Sequence, residues 1–296
     1  MVYQYDAAII GGDLRQSYLA SVLKQSGFSA ITYGIDTITP ELYLNIADSP
    51  KYAIDSCKTI IAPIPFSRDK KYITGLDVNN QTELQKLSVE KLLSYLHPEH
   101  YLIGGNIPWE VVDYCNKIGI GYFDLMKNDD IALLNAVATA EGAIAEAIIK
   151  SSGNLHQSKG LVLGYGRCGK VLSAKLHNLG MHVTVAARNN GALLEAYTNC
   201  LDIIRLYDED LDICEFDFIF NTIPAQILDK NLLLNLSPDA VVIDIASAPG
   251  GVDYEAAREL KLNVHSCLGI PGKIAPKASA KILAGAIIPI LKERSD

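Results

Sequence analysis

Three glycines in the stretch GLVLGYGRCGK, Gly164, Gly166 and Gly169, stand in G-x-G-x-x-G spacing after a run of Leu and Val and before a helical candidate, GKVLSAKLHNLG. The chemistry of such a turn is anion binding. The first glycine permits the tight turn, the second lets a pyrophosphate approach the backbone, and the third allows helix and strand to pack closely, with the anion on the helix N-terminus. Strand, turn, a helix ending at Gly180 and a second strand make one βαβ unit of about 30 residues, the context the fingerprint demands. Tyr165, Arg167 and Cys168 fill the variable positions and join the glycines as cofactor-binding candidates.

The second strand ends in VTVAARNNGA, residues 183 to 192. An Asp or Glu at that point would accept hydrogen bonds from an adenosine ribose 2′-hydroxyl and repel a 2′-phosphate. Arg188 stands there instead, with Asn189 and Asn190 beside it, and a guanidinium favours the phosphate. Charge-assisted bonds are worth about 1.5 to 3 kcal/mol each, and about 1.4 kcal/mol is tenfold in affinity. The pattern points to NADP over NAD.

Later strand ends should reach the nicotinamide side of the same site. NTIPAQ places Asn221, Thr222, Ile223 and Pro224 there, DIASAPGG places Asp244, Ala246, Ser247 and Gly250 there, and Gly269 opens GIPGKIAP. In the first half, IIGGDLRQ, IAPIPFSRD and IGGNIPW end strands. Gly11 and Gly12 resemble a second phosphate turn, but the third glycine is missing and Asp13 holds the helix start, where a carboxylate would repel phosphate. Asp13 is expected to cap its helix, with Arg15 a candidate carboxylate contact and Ser67 and Asn106 secondary candidates. Asn135 and Thr139 are i, i+4 neighbours with Gly142 on the same face, a polar and closely approachable stripe, while Glu141 lies on another face. Lys273 and Lys277 flank IAP in a segment read as irregular, and two lysines without nearby acids suit an anionic substrate.

Short apolar runs alternating with amphipathic segments must position these residues, the pattern of βα units in parallel sheets. AAII (7 to 10), AITY (30 to 33), TIIA (59 to 62), YLIG (101 to 104) and GYFDL (121 to 125) predict five strands of a flavodoxin-like layer, with helices near 15 to 26, 83 to 96 and 109 to 117. GLVLG (160 to 164), HVTVAA (182 to 187), FDFIFN (216 to 221), AVVIDIA (240 to 246) and LNVHS (262 to 266) predict a Rossmann sheet. NDDIALLNAVATAEGAIAEAIIKSS reads as one long joining helix, capped by Asn128, Asp129 or Asp130. KASAKILAGAIIPILKE forms a returning C-terminal helix that Pro289 should kink or shorten. The fold class is α/β with two doubly wound parallel-sheet domains. They are a flavodoxin-like substrate domain at 1–130, joined by the helix at 277–296, and a Rossmann domain at 131–276.

The 296 residues, 49% hydrophobic and 20% charged, have a globular composition. A net charge of −8 without a basic cluster opposes nucleic acid and anionic lipid. No signal peptide is evident and no apolar run approaches the roughly 20 residues of a membrane span, so a cytoplasmic location is expected. Six cysteines show no CxxC pair or His/Cys cluster, so neither a zinc site nor a disulfide framework has support. Cys168 is the exception to watch, because a helix dipole lowers thiol pKa.

IIGGDLRQ, NDDIALLNAVATAEG, GYGRCG with the following AAR, FNTIPAQIL, IDIASAPGGVDY and LGIPGKIAPKASAKIL resemble, in order and over nearly the full chain, the family of dipicolinate synthase A subunits. The resemblance implies NADP-dependent oxidation of a tetrahydrodipicolinate-type cyclic imine dicarboxylate to dipicolinate during sporulation. It also implies a partner, the flavoprotein-like B subunit, together with an oligomeric assembly and a mother-cell cytoplasm. The architecture is similar to D-2-hydroxyacid and alanine dehydrogenases, whose Arg, Glu and His set has no counterpart here, His265 lying at a strand end without a matching motif. Aromatisation supplies driving force, so the protein has mainly to position the ring and clamp two carboxylates. Arg15, Lys277, the helix N-terminus near Asn106, Asn135 and Thr139 are the candidates for that task. The alternatives are another NADP-dependent 2-oxo or imino acid dehydrogenase and a non-catalytic NADP-sensing module.

Overall fold

Most of the apolar runs become strands buried on both faces, which is why they read as continuous rather than alternating, while those of the edge strands GYFD and NVHS are only partly buried. The computed structural model describes residues 3–35, 44–76, 86–206 and 212–295. They fall into two compact units, one of Met1–Ala132 with Ala275–Asp296, the other of Leu133–Ile274.

The first unit runs β1 (Tyr5–Ile10), α1 (Leu14–Gln25), β2 (Ala30–Tyr33), β3 (Asn45–Ile46), α2 (Pro50–Asp55), β4 (Cys57–Ile61), α3 (Val89–Tyr95), β5 (Tyr101–Gly104), α4 (Trp109–Ile118) and β6 (Gly121–Asp124). Its parallel sheet has the order β3-β2-β1-β4-β5-β6. The five anticipated strands alone give the flavodoxin-like order, and the two-residue β3, too short for a periodic signal, is the addition. Ala7 and Ile9 point to one face and Ala8 and Ile10 to the other, as the pleat requires. The helix anticipated at 83 to 96 is the shorter α3, started by the Ser88 side chain accepting from Lys91 N, and residues 83–85 lie outside the described ones.

The second unit contains most of α5 (Asp129–Lys150), then β7 (Lys159–Leu163), α6 (Arg167–Asn178), β8 (His182–Ala187), α7 (Asn190–Thr198), β9 (Asp202–Arg205), β10 (Phe218–Asn221), α8 (Lys230–Leu233), β11 (Val241–Asp244), α9 (Tyr254–Glu259), β12 (Asn263–Ser266) and α10 (Ile270–Ile274). The order β12-β11-β10-β7-β8-β9 is the doubly wound Rossmann arrangement, with β9 added to the five strands anticipated. Val162, Phe220 and Ile243 face Ala143 of α5 and Leu172 of α6, whereas Leu163, Ile219 and Val242 face Leu233 and Ala256. Asn128, among the three cap candidates of α5, supplies the oxygen, accepting from Ile131 N at 3.1 Å. By length and composition α5 is apolar enough to cross a membrane, which differs from the expectation of no such run, although Ala140, Ala143 and Ala147 are fully buried in its unit's core.

Three local expectations are corrected. GIPGKIAP is not irregular throughout, because Ile270–Ile274 closes the helical turn α10, with buried Ile270 anchoring it. Gly142 is not open to a ligand, since a Cβ there would lie 2.1 Å from Ile270 Cγ2; its bareness lets α10 lie on α5. Pro289 does not shorten the C-terminal helix α11 (Pro276–Ser295), where it sits exposed, and the residue four before it, where its ring would crowd the turn, is Gly285 with open space around it.

The α11 helix packs on α1, burying Leu283, Ala284 and Ile287 against Leu19, Ala20 and Leu23. Ile287→Ala is expected to cost about 2 to 5 kcal/mol through the cavity it leaves, read as a lower denaturant midpoint of this unit; an unchanged midpoint would show that α11 contributes little to it.

Candidate functional site

All strands of the second unit are parallel, so their C-terminal ends share one edge of the sheet, and the order reverses between β7 and β10. The G-x-G-x-x-G turn lies at that reversal. Gly164 adopts φ +95°, left-handed backbone that favours glycine, and a Cβ on it would sit 2.5 Å from Thr222 Oγ1. A Cβ on Gly169 would sit 2.1 Å from the Gly164 carbonyl oxygen, so α6 reaches the strand end only because that side chain is missing. Gly166 is different, with nothing within 4 Å of its Cβ position, and it starts α6 without any side-chain cap. A bare, open approach to an uncapped helix N-terminus fits a pyrophosphate.

The side chains between the glycines point to other tasks. Tyr165 is buried, its phenol oxygen accepting from Asn199 Nδ2 at 3.4 Å and its ring under the Lys170 ammonium. Cys168 is half-buried, and burial pushes its thiol up despite the opposing charge of Arg167, the reverse of the dipole expectation. Arg188, immediately after β8, is exposed and has no ion pair among the described residues. The two asparagines beside it are engaged. Asn189 caps α7 by accepting from Ala192 N at 3.1 Å, and Asn190 Oδ1 accepts from Arg205 Nη2. Arg205 ends β9 and is the register partner of Ala187. It was not anticipated, because the strand DIIR was not; its signal was a cation closing a short apolar run.

The walls after β10 and β11 are tied together by one buried carboxylate. Asp244 accepts from Asn221 Nδ2 at 2.8 Å, Ala246 N at 3.0 Å, Gly251 N at 3.1 Å and Tyr254 Oη at 2.6 Å. Burial and the bond to Asp244 push the Tyr254 phenol far up, so it stays a donor. Asn221 is fully buried, also bonding both Ile223 N and Ile223 O. Asn221 and Asp244 therefore shape the edge rather than line it, and they leave Thr222, Ile223, Pro224, Ser247 and Gly250 more accessible, with Ala246 buried behind them. Thr222 Oγ1 donates to Leu163 O at 2.8 Å, binding this wall to the glycine turn. Gly269, with φ +70°, opens α10 at the same edge.

A separate cavity of about 260 Å³ borders β12, lined among others by Glu146, Lys150, His265, Cys267 and Lys273. His265 Nε2 lies 2.6 Å from Asn263 Oδ1, and burial and Lys150 push its imidazole pKa down.

In the first unit the corresponding glycine turn is filled by the chain itself. Gly12 N donates to Thr74 O at 2.7 Å, and a Cβ on Gly75 would meet Gly12 O at 2.3 Å, so the backbone donor a phosphate would need is taken. Asp13 caps α1 as expected, with Gln16 bonding back to Asp13 N. Arg15 is not an open contact. Its guanidinium is buried, gives two bonds to Asp13 at 2.8 and 2.7 Å and a third to the Ile64 carbonyl. Ser67 donates to Asp69, forming a local turn. The backbone N–H of Asn106 and that of Ile107 are held by buried Asp124, so the donor expected from the helix start is occupied, while the exposed Asn106 side chain stays available. The buried Thr74 hydroxyl, beside the filled turn, has no hydrogen-bond partner among the described residues and carried no sequence signal.

Of the remaining candidates, Lys277 lies exposed in the first turn of α11, in the first unit, and Lys273 lies exposed in α10, in the second. Asn135 and Thr139 are half-buried on α5 in the second unit, and the Thr139 hydroxyl donates to Asn135 O at 3.1 Å rather than outward. Glu141 pairs with Lys175 at 2.9 Å.

Residues 6–126 match the family of N-terminal domains of dipicolinate synthase A subunits. Over 97% of this chain and 95% of the other, the sequence is 29% identical to the dipicolinate synthase A subunit of Bacillus subtilis. The crystal structure of the dipicolinate synthase A subunit from Bacillus halodurans superposes with a TM-score of 0.83 at 26% identity, covering 98% of this chain and 99% of that one. An L-alanine dehydrogenase shares the fold at 12% identity with a TM-score of 0.62, over 96% of this chain and 89% of its own. The resemblance to dipicolinate synthase A subunits thus extends along the whole chain, on an architecture shared with dehydrogenases.

Gly169→Val must push α6 off the strand end, because the atom it meets is backbone and cannot turn aside. The expected result is loss of dinucleotide binding in calorimetric titration with a circular dichroism spectrum retaining its helical content; undiminished binding would show that the turn is not the anion cradle.

Proposed function

We propose that this chain is the A subunit of a dipicolinate synthase, an NADP-dependent dehydrogenase acting on a cyclic imine dicarboxylate of the tetrahydrodipicolinate type. The observation that carries the reading is the uncapped glycine cradle with a guanidinium, Arg188, left without an ion pair among the described residues at the end of the adjoining strand. Similarity along the full chain to dipicolinate synthase A subunits supports the substrate class.

A bound nicotinamide would supply the hydride acceptor. The chain's own residues then have three tasks. Gly164, Gly166 and Gly169 let the pyrophosphate reach backbone donors, and Arg188 pairs with the 2′-phosphate, which an acid there would repel. Thr222, Ile223, Pro224, Ser247 and Gly269 form the wall for ribose and nicotinamide, backed by buried Ala246 and held by the Asp244 network in one conformation. Exclusion of water by the apolar members of this wall strengthens every charge interaction inside it.

For the two substrate carboxylates we assign Lys277 as a cationic contact, since its ammonium is exposed and has no acid partner among the described residues. Asn135 remains a proposed amide donor on α5. Arg15 and Thr139 are given positioning parts, because both spend donors locally: Arg15 fixes the backbone at Ile64, and Thr139 bonds its own helix. Taking a tetrahydro ring to the aromatic product removes two hydrides and two ring protons, so two NADP⁺ would be consumed in turn; aromatic stability favours the final step, and correct placement of the ring is the protein's main contribution. The partner would be the B subunit, and the setting the mother-cell cytoplasm of a sporulating bacterium.

The test is dipicolinate formation from the tetrahydro intermediate, followed by the ultraviolet absorption of the pyridine product, with NADP or NAD, and with or without the B subunit. Turnover with NADP exceeding that with NAD is expected, and Arg188→Ala should reduce the preference about tenfold or more, the worth of one charge-assisted bond. Cofactor binding without product under every condition would instead establish a non-catalytic sensing module.

A further inference from the structure

β8 and β9 run side by side, with Ala187 opposite Arg205, so the residue after Ala187 lies one position beyond the last residue of β9 at the ends of adjacent strands. The first is Arg188 and the second is Arg205 itself. Both are exposed at the C-terminal edge, and neither has an acidic partner among the described residues. Two cations at the ends of adjacent strands, with no ion pair among the described residues, suit an anion that both can reach. Lys159, Lys170, Lys175 and Lys230 of this unit pair with Glu215, Glu195, Glu141 and Glu259, whereas Arg188 and Arg205, like exposed Lys150, Arg258, Lys261 and Lys273, have no ion pair among the described residues.

Arg205 is also oriented. Its Nη2 donates to the amide oxygen of Asn190, the first residue of α7. An amide fixes the guanidinium while leaving its charge unspent, whereas a carboxylate in that place would neutralise it and repel a phosphate. Asn190 is in turn located by the Asn189 cap that starts α7, so the segment after β8 and the end of β9 are one construction.

We infer that Arg205 is the second cation of a two-arginine clamp on the adenosine 2′-phosphate, facing Arg188 across the end of the sheet and held in place by the neutral amide of Asn190. This deepens the NADP reading and rests on it. It identifies the determinant of cofactor choice as two guanidiniums on adjacent strands rather than the one after the second strand.

The experiment is calorimetric titration of the full chain with NADP⁺, NAD⁺, 2′,5′-ADP and 5′-AMP, for the native sequence, Arg205→Ala, Arg205→Gln and Asn190→Asp. The clamp predicts that both Arg205 variants weaken NADP⁺ and 2′,5′-ADP about tenfold or more, as one lost charge-assisted contact should, with NAD⁺ and 5′-AMP unchanged. It also predicts a shallower decline of NADP⁺ affinity with salt. Asn190→Asp should give the same selective loss, since its acid would both neutralise Arg205 and repel the phosphate, and an acid at the first position of a helix is compatible with folding; the Arg205 variants, at an exposed position where folding should persist, decide the matter. NADP⁺ preference that survives these substitutions intact would overturn the role of Arg205 and leave the NADP reading standing. Native protein that binds NAD⁺ as tightly as NADP⁺ would overturn the NADP reading itself, and the clamp with it.

Discussion

The close approach of two backbones, at Gly164 and Gly169, is the constraint on which the second unit's site depends. Only with no Cβ at position 169 can α6 begin at the end of β7, and only there do its first N–H groups face the point where strand order reverses. Everything else at the edge is arranged around that fixed point. Thr222 bonds the carbonyl of Leu163, just before the turn, and the Asn221–Asp244 network fixes the segments that follow β10 and β11 beside it. A conformationally free glycine is costly in the folded chain, and this one is tolerated because the contact it permits cannot be made by any other residue.

The two sheets have the same strand order, yet only one has an open cradle. The difference is chemical. In the first unit Thr74 O takes the Gly12 N–H, Gly75 lies against Gly12 O, and the Asp13 carboxylate stands at the helix start, so both the donors and the electrostatics exclude phosphate. Strand order provides an edge where ligands can sit; the turn decides which.

Much of this was legible in the sequence, and the boundary of legibility is physical. Ten of the strands are apolar runs, and the glycine turn has fixed spacing, both of which are local signals. What escaped depends on partners distant in the chain. β3 and β9 are edge strands with exposed residues, recognisable only by their pairing with β2 and β8. The face containing Asn135, Thr139 and Gly142 looked like a ligand stripe, because nothing local reveals that Ile270 and Ile274 occupy the glycine's open side. Arg15 looked available for a substrate because the Ile64 carbonyl, far away in sequence, could not be seen beside it. Asp13 could be recognised as a cap, but not as the second partner of that guanidinium.

Buried carboxylates recur at the two working edges, and their energetics explain why. Asp124 and Asp244 are nearly inaccessible, and an isolated charge in such a place would be strongly unfavourable. Each is instead surrounded by donors: Asp124 takes the N–H groups of Asn106, Ile107 and Met126, and Asp244 takes two N–H groups, an amide and a phenol. Donors from loop backbone can meet one small anion only if the loop adopts a single path, so the carboxylate converts burial cost into shape. The loop from 245 to 253 is then ordered before any ligand arrives, and binding need not supply that entropy. On the proposed reading, dehydrogenation of an aromatising substrate would need little acid–base chemistry but accurate placement of the carbon that loses hydride. A site whose walls are set by internal anions, with its free cations kept for external ones, meets that need.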